Sequence, residues 1–189
     1  MTIYNGPLAT QQAFRILLQA LSHPGEIYPL SPGDPGQGLP LLLYTLLDHE
    51  VGFAVIGPDS DSCAGLVRDW TKAHLTEVPG ADFIIVTDGC SQGEIRQAKR
   101  GTLEYPDRGA TIIYLVASLG REEPAGLGIK LQGPGVAQER RLRITGLAAD
   151  EIFELKKINQ EFPLGVDCFF LDRSGRVMGL PRSTQLEVQ

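Results

Sequence analysis

The residues whose types and spacing could do chemistry are few in this sequence, and they lie far apart. The turn Gly133-Pro134-Gly135, with Arg140, Arg141 and Arg143 downstream, offers backbone amides and guanidinium forks that match phosphate oxygens, so Arg140 and Arg141 are candidates for anion binding. A turn followed by strand residues facing solvent explains the same letters. Asp88 follows a strand-like run and Asp167 opens another. Strand ends in α/β sheets are where ligands bind, but Asp beside Gly also builds turns, the role expected of Asp88. His23, His49 and His74 sit near the ends of expected elements with no His-x-x-x-His pair, so no metal site is expected. Cys63, Cys90 and Cys168 form no Cys-x-x-Cys pair and read as free thiols of a reducing compartment. A nucleophilic Cys would need a base and an electropositive setting that the sequence does not display. No Gly-x-Ser-x-Gly elbow, no P-loop and no dinucleotide-binding glycine pattern occurs, so no catalytic residue is assigned.

The elements that must position these residues follow from periodicity and punctuation. Thr10 is a fair N-cap for a helix through Leu21 with Ala13, Phe14, Leu17, Leu18 and Leu21 on one face, stopped by Ser22-His23-Pro24-Gly25. Glu26 to Leu30 reads as a short extended segment, Ser31 to Gly38 as a loop, and Leu39 to Leu47 as a buried helix. Val51 to Ile56 is β-branched and aromatic and suits a strand, after which Ser60 or Asp61 caps a helix to Leu75. Phe83 to Thr87 and Thr111 to Ser118 read as buried strands, with a short helix over Gln92 to Lys99 between them. Gly128 to Gln132 and Arg141 to Thr145 read as antiparallel neighbours, Asp150 opens a helix carrying Ile152, Leu155 and Ile158 inward, and Asp167 to Leu171 pairs with Arg176 to Leu180 across a hairpin turn. Thr184 to Val188 adds a little more extended chain at most. Alternation followed by antiparallel strands predicts an α/β fold, a single domain over residues 1–189, with one mixed β-sheet covered by helices.

Composition narrows the partners. The 189 residues suffice for a core without disulfides or metal, and 42% hydrophobic with 21% charged residues is an ordinary globular balance. The 23 acidic against 17 basic side chains give a formal charge of -6, which repels a polyphosphate backbone, so nucleic acid is not an expected partner. Met1 to Pro7 has no basic or apolar leader pattern, and no apolar run approaches the roughly 20 residues of a membrane span, which predicts a cytoplasmic protein with no membrane partner. Glu122-Glu123 and Lys156-Lys157 read as solvated faces.

An ordered set of segments carries more than any of these motifs. It comprises Phe14-Arg15-Ile16-Leu17-Leu18-Gln19-Ala20-Leu21-Ser22-His23-Pro24-Gly25, Leu131-Gln132-Gly133-Pro134-Gly135-Val136, Arg141 to Leu147, Phe162-Pro163-Leu164-Gly165-Val166-Asp167, and Gly179-Leu180-Pro181-Arg182-Ser183-Thr184. From Phe14 to Val188 the chain thus resembles the PhnH family, a subunit of the carbon-phosphorus lyase system for phosphonate degradation. Leu21 stands where that family usually has Met, a volume-conserving change.

The resemblance implies a homodimer with a fold similar to the pyridoxal-phosphate-dependent transferases but lacking the cofactor site, joined with PhnG, PhnI and PhnJ in a core complex. There, phosphonate replaces adenine on ATP to give a ribose 1-phosphonate 5-triphosphate, with PhnI catalytic and PhnG and PhnH as required companions. No catalytic residue and no cofactor is carried over. Arg15, Asp167 and Arg182 lie in the most family-like segments and are candidates for a pocket or a subunit contact. The residues agree with a role without cofactor: pyridoxal phosphate needs a Schiff-base Lys, an Asp at the pyridine nitrogen and a phosphate cup. Of five lysines, Lys130 falls on an expected strand, and Lys99, Lys156 and Lys157 on helices beside other charges. The alternative is a free-standing small-molecule enzyme or binder of phosphate ligands using the Gly133 turn.

Overall fold

Runs of β-branched and aromatic residues without polar alternation must be covered on both faces, and in this protein they form the middle of the larger of two sheets. The structure, a computed structural model, describes residues 6–121 and 125–189. The stretch Met1 to Asn5 and the pair Glu122-Glu123 lie outside the described residues. In chain order the elements are α1 (Pro7–Ser22), β1 (Ile27–Pro29), α2 (Gly38–Leu46), β2 (Gly52–Ile56), α3 (Ser60–Thr71), β3 (His74–Leu75), β4 (Phe83–Val86), β5 (Thr111–Val116), β6 (Ser118–Gly120), β7 (Leu127–Gln132), β8 (Arg140–Thr145), α4 (Ala149–Ile158), β9 (Asp167–Asp172), β10 (Arg176–Leu180) and β11 (Gln185–Val188).

The larger sheet has seven strands in the order β1-β10-β9-β5-β4-β2-β3. Strands β3, β2, β4, β5 and β9 run parallel, while β10 and β1 are antiparallel to their neighbours. Because side chains alternate across a strand, each strand feeds two cores. Phe53, Ile85, Ile113, Phe169 and Leu171 pack under α1, α2 and α3, whereas Ile84, Val86, Ile112, Tyr114 and Phe170 face α4 and the second sheet. That second sheet is antiparallel, ordered β11-β7-β8-β6, and turns Ile129, Leu131, Leu142, Ile144 and Leu186 inward.

The fold is α/β with a mixed sheet, as expected, but the single sheet becomes two. The run expected as one strand from Thr111 to Ser118 breaks at Ala117, whose amide donates to the Thr145 carbonyl at 2.8 Å; β5 stays in the large sheet and β6 joins the small one. The helix expected to reach Leu75 ends at Thr71, where Lys72 turns left-handed at φ 65 and Ala73 donates to the Thr71 hydroxyl at 3.1 Å. His74 and Leu75 then pair with β2. Neither Ser60 nor Asp61 caps α3, which starts after Asp59 without a side-chain cap bond. The helix expected over Gln92 to Lys99 is a 3-10 turn, Glu94–Gln97, so Lys99 lies beyond it and pairs with Asp82.

Helix α1 differs most from its reading. It starts at Pro7 and follows Gly6, and Thr10 donates its hydroxyl to the Pro7 carbonyl instead of capping the helix. Its buried residues are Ala9, Ala13, Leu17 and Ala20, while Phe14 and Leu18 stand half exposed. Alanines allow close approach to β10, and Gly179 completes it: a Cβ there would meet the Ala20 carbonyl carbon at 2.5 Å.

Candidate functional site

Four of the five family-like segments, distant in sequence, meet near the ends of β10 and β9. Arg182 leaves β10 and turns its guanidinium back across the start of β9. Its Nη2 donates to Asp167 Oδ2 at 2.7 Å, its Nε to Asp167 Oδ1 at 3.2 Å, and its backbone amide to the same Oδ1 at 2.8 Å. Nη1 donates to the Pro106 carbonyl at 2.5 Å and the Pro163 carbonyl at 3.5 Å. The fork matches a carboxylate in two places, so Arg182 ties three loops to Asp167. Gly109 leaves room for it, since a Cβ there would fall 2.9 Å from Nη1.

The loop from Phe162 to Val166 is pinned from its other side by Asn159, just past α4. Asn159 Oδ1 accepts from the Val166 amide at 2.7 Å and its Nδ2 donates to the Val166 carbonyl at 3.1 Å. Two turns pack beside this junction. Gly135, at φ 80, lies against the Ser22 carbonyl closely enough that a Cβ would sit 2.3 Å from it, and Gly133 faces the Ser183 carbonyl. Arg140 bridges the same turns, donating from Nη1 to the Pro24 carbonyl at 3.0 Å and from Nη2 to Glu26 Oε1 at 2.9 Å. Glu26 in turn accepts from the Tyr28 hydroxyl at 2.7 Å, and burial together with that carboxylate pushes the Tyr28 phenol up to about 12.

Of the residues singled out in sequence, Asp167 and Arg182 are therefore brought into direct contact. Arg15 stands apart on the exposed side of α1. Arg141 is exposed and pairs with Glu139 at 2.5 Å, and Arg143 donates to the Gly126 carbonyl at 3.2 Å. Asp88 is a turn residue, accepting from the Cys90 amide at 3.2 Å. Cys168 is buried, and burial, with Asp167 beside it, pushes its thiol well up; burial raises Cys63 as well. Neither has the electropositive setting that makes a thiolate.

Between α4 and β11 a cleft of about 590 Å³ opens beside the junction, lined by Lys130, Pro134, Lys156, Phe162, Arg182 and Thr184 among others. The Gly133 turn thus reaches the cleft through Pro134, but Arg140 and Arg141 line a different depression. Lys130 is tied to Glu187 at 2.7 Å, whereas Lys156 has no ion-pair partner among the described residues. The Thr184 hydroxyl is buried without a hydrogen-bond partner. No group of His, Cys, Asp or Glu among the described residues is placed to hold a metal ion.

Two carboxylates at α4 escaped the sequence reading. Glu151, buried, accepts from the Ser91 amide at 2.7 Å, the Ser91 hydroxyl at 2.8 Å and the Tyr114 hydroxyl at 2.8 Å. Burial raises the Tyr114 phenol well above its ordinary value, and its ring stacks on Phe170 at 5.0 Å. Glu154 accepts a fork from Arg96 at 2.6 and 2.8 Å and a third bond from Lys157 at 3.3 Å; the Arg96 bonds hold its carboxyl down at about 2. For Glu151 the available signal was its place in the first turn of a helix, where the backbone dipole favours an acidic residue; Glu154 lies one turn further on and had no such signal.

Comparison with known proteins places the chain in a family. The family model described as "Bacterial phosphonate metabolism protein (PhnH)" matches residues 3–187. The protein named "Putative C-P lyase subunit protein HtxG" from Stutzerimonas stutzeri is 31% identical over 182 residues, covering 95% of this chain and 86% of that one. The "Alpha-D-ribose 1-methylphosphonate 5-triphosphate synthase subunit PhnH" from Rhizobium meliloti (strain 1021) is 30% identical over 198 residues, covering 98% of this chain and 96% of its own length.

Proposed function

The chain belongs to the PhnH family of bacterial phosphonate metabolism proteins, and from that premise we propose that it is an accessory subunit of a carbon-phosphorus lyase core complex. In this reading it assembles with PhnG-, PhnI- and PhnJ-type subunits in the cytoplasm, forms a homodimer in their absence, and is required with PhnG and PhnI to make ribose 1-phosphonate 5-triphosphate from ATP and an alkylphosphonate. The observation that carries the reading is the near full-length match to two proteins named as subunits of such systems. No helix among the described residues is long and apolar enough to cross a membrane.

The site's geometry supports an accessory part. The family-like segments are spent on holding one another, Arg182 on Asp167 and Gly135 on Ser22, and Arg140 beside them holds Pro24 and Glu26. Asp167 and Arg182 shape the surface beside the cleft by fixing the Phe162 to Val166 loop, and Arg15 is a contact residue on α1. We further assign the seven-stranded mixed sheet as the counterpart of the pyridoxal-phosphate-dependent transferase sheet, which structural superposition tests. The functional reading is tested by reconstitution. Product formed from ATP and methylphosphonate, followed by phosphorus NMR, is expected only when this chain is present with its partners, and undiminished product without it removes the role.

A second reading, a small-molecule binder, has one observation in its favour: the cleft beside Lys156 and the exposed Phe162 ring. Titration calorimetry with ATP tests it. Binding heat that disappears in Lys156→Ala supports the cleft, heat lost in the Arg140→Ala, Arg141→Ala double variant supports those arginines, and no heat with the wild type removes the reading.

A further inference from the structure

Surface helices of globular proteins turn large apolar residues inward and charged residues outward. Helix α1 departs from that pattern on its outer side, where large apolar residues stand exposed. It seats Ala9, Ala13, Leu17 and Ala20 against the fold, with Gly179 admitting its backbone. Outward stand Leu8 at 67%, Phe14 at 48% and Leu18 at 49% exposure. Leu8, Gln11, Arg15 and Leu18 succeed one another at steps of three and four residues, so they form one stripe along the helix. Phe14 lies one turn before Leu18 on the edge of that stripe.

Charge is nearly absent from it. Arg15 is the single charged residue of Pro7–Ser22, which contains no Asp, Glu or Lys. Among the described residues Arg15 has no hydrogen-bond, ion-pair or ring partner. Aliphatic side chains, an aromatic ring, glutamines and one Arg without Lys, Asp or Glu make the composition of a buried protein contact, not of a solvated helix face.

We propose that the outer stripe of α1 docks a different subunit of the phosphonate-handling complex, one offering an apolar strip with a carboxylate opposite Arg15. The proposal rests on the subunit reading above. Charge decides between a different protein and a second copy. In a twofold contact that packs α1 on α1, each helix brings the same cation and no carboxylate, so neither helix offers the other's guanidinium a partner. A carboxylate on a different protein gives Arg15 the planar partner its fork matches, and the apolar strip covers Phe14 and Leu18.

The test is size-exclusion chromatography of the chain co-expressed with the PhnG-, PhnI- and PhnJ-type subunits of its own source. Wild type is compared with Arg15→Glu, with the Phe14→Ala, Leu18→Ala double variant, and with Arg173→Glu as a control in the exposed β9–β10 turn. The substituted residues are all exposed, so circular dichroism and melting temperature stay those of the wild type. Wild type and the Arg173 control co-elute with the partners, both stripe variants lose co-elution by about tenfold or more, and the variants alone elute as the wild type alone does. Stripe variants that co-elute at the wild-type level overturn the proposal. So does a stripe variant that keeps its partners but elutes alone as a smaller species, which makes the stripe a contact between copies. A wild-type chain that elutes apart from its partners defeats the subunit reading itself, and the docking site with it.

Discussion

Arg182 and Asp167, fifteen residues apart, close a two-pronged ion pair in which the guanidinium side chain is 13% and the carboxylate 26% exposed. The pair spans β9 and the chain leaving β10, and through the Pro106 and Pro163 carbonyls it reaches two further loops. Removing one partner leaves the other charge in a poorly hydrated place. Arg182→Ala is therefore expected to lower unfolding free energy by about 2–4 kcal/mol, read from urea denaturation. Arg182→Lys keeps the charge but not the fork and recovers less than half of the loss. An Arg182→Ala protein as stable as wild type would show the pair to be ornamental.

Glu154 gives the fold a pH-dependent component. Its carboxyl is held at about 2, below its ordinary value of 4.5, chiefly by the Arg96 bonds. A carboxyl depressed in the folded state adds stability that is complete above the unfolded value and fades as pH falls toward the folded one. The contribution is thus present above pH 4.5 and is lost between about 4.5 and 2. Glu154→Gln should flatten the stability-against-pH curve in that window, and a carbon-detected NMR titration should place the wild-type midpoint near 2. A midpoint near 4.5 would mean that Arg96 does not hold the carboxylate in solution.

Gly179 tests the seating of α1. A methyl there would stand 2.5 Å from a backbone carbon of Ala20, and backbone cannot swing aside as a side chain does. Gly179→Ala should cost about 3 kcal/mol and lift α1 from β10, visible as faster hydrogen exchange along Ala13 to Ala20. Unchanged exchange would place the helix differently from the way described above.

How much of this was legible in the sequence depended on whether the deciding partner was local. The parallel strands β4 and β5 were readable because strands covered on both faces carry unbroken apolar runs, Phe83 to Val86 and Thr111 to Val116. The β9–β10 hairpin was readable because Asp172 to Gly175 is turn chemistry written in four consecutive letters. The break at Ala117 was not, since it is decided by Thr145 on a later strand. Helix α1 carries two apolar stripes, and which of them is buried depends on Gly179, more than a hundred residues on. At the site, sequence singled out Asp167 and Arg182 but could not say that they would bind each other. The cleft between α4 and β11 has no local pattern at all, because its walls come from distant segments.

The buried carboxylate of Glu151 gathers three donors, and its removal separates two costs. Tyr114→Phe deletes one donor and leaves Glu151 bonded twice by Ser91, so it should cost about 1 kcal/mol. Glu151→Ala strands the Ser91 amide, the Ser91 hydroxyl and the Tyr114 hydroxyl together, and the loss should reach about 3 kcal/mol or more. In the double variant one stranded donor is gone, so the combined loss should fall short of the sum of the two single losses, a coupling that chemical denaturation of all four proteins measures directly. Strict additivity would mean that the Tyr114 hydroxyl and the Glu151 carboxylate do not interact, and that Tyr114 is held in place by its stacking on Phe170 alone.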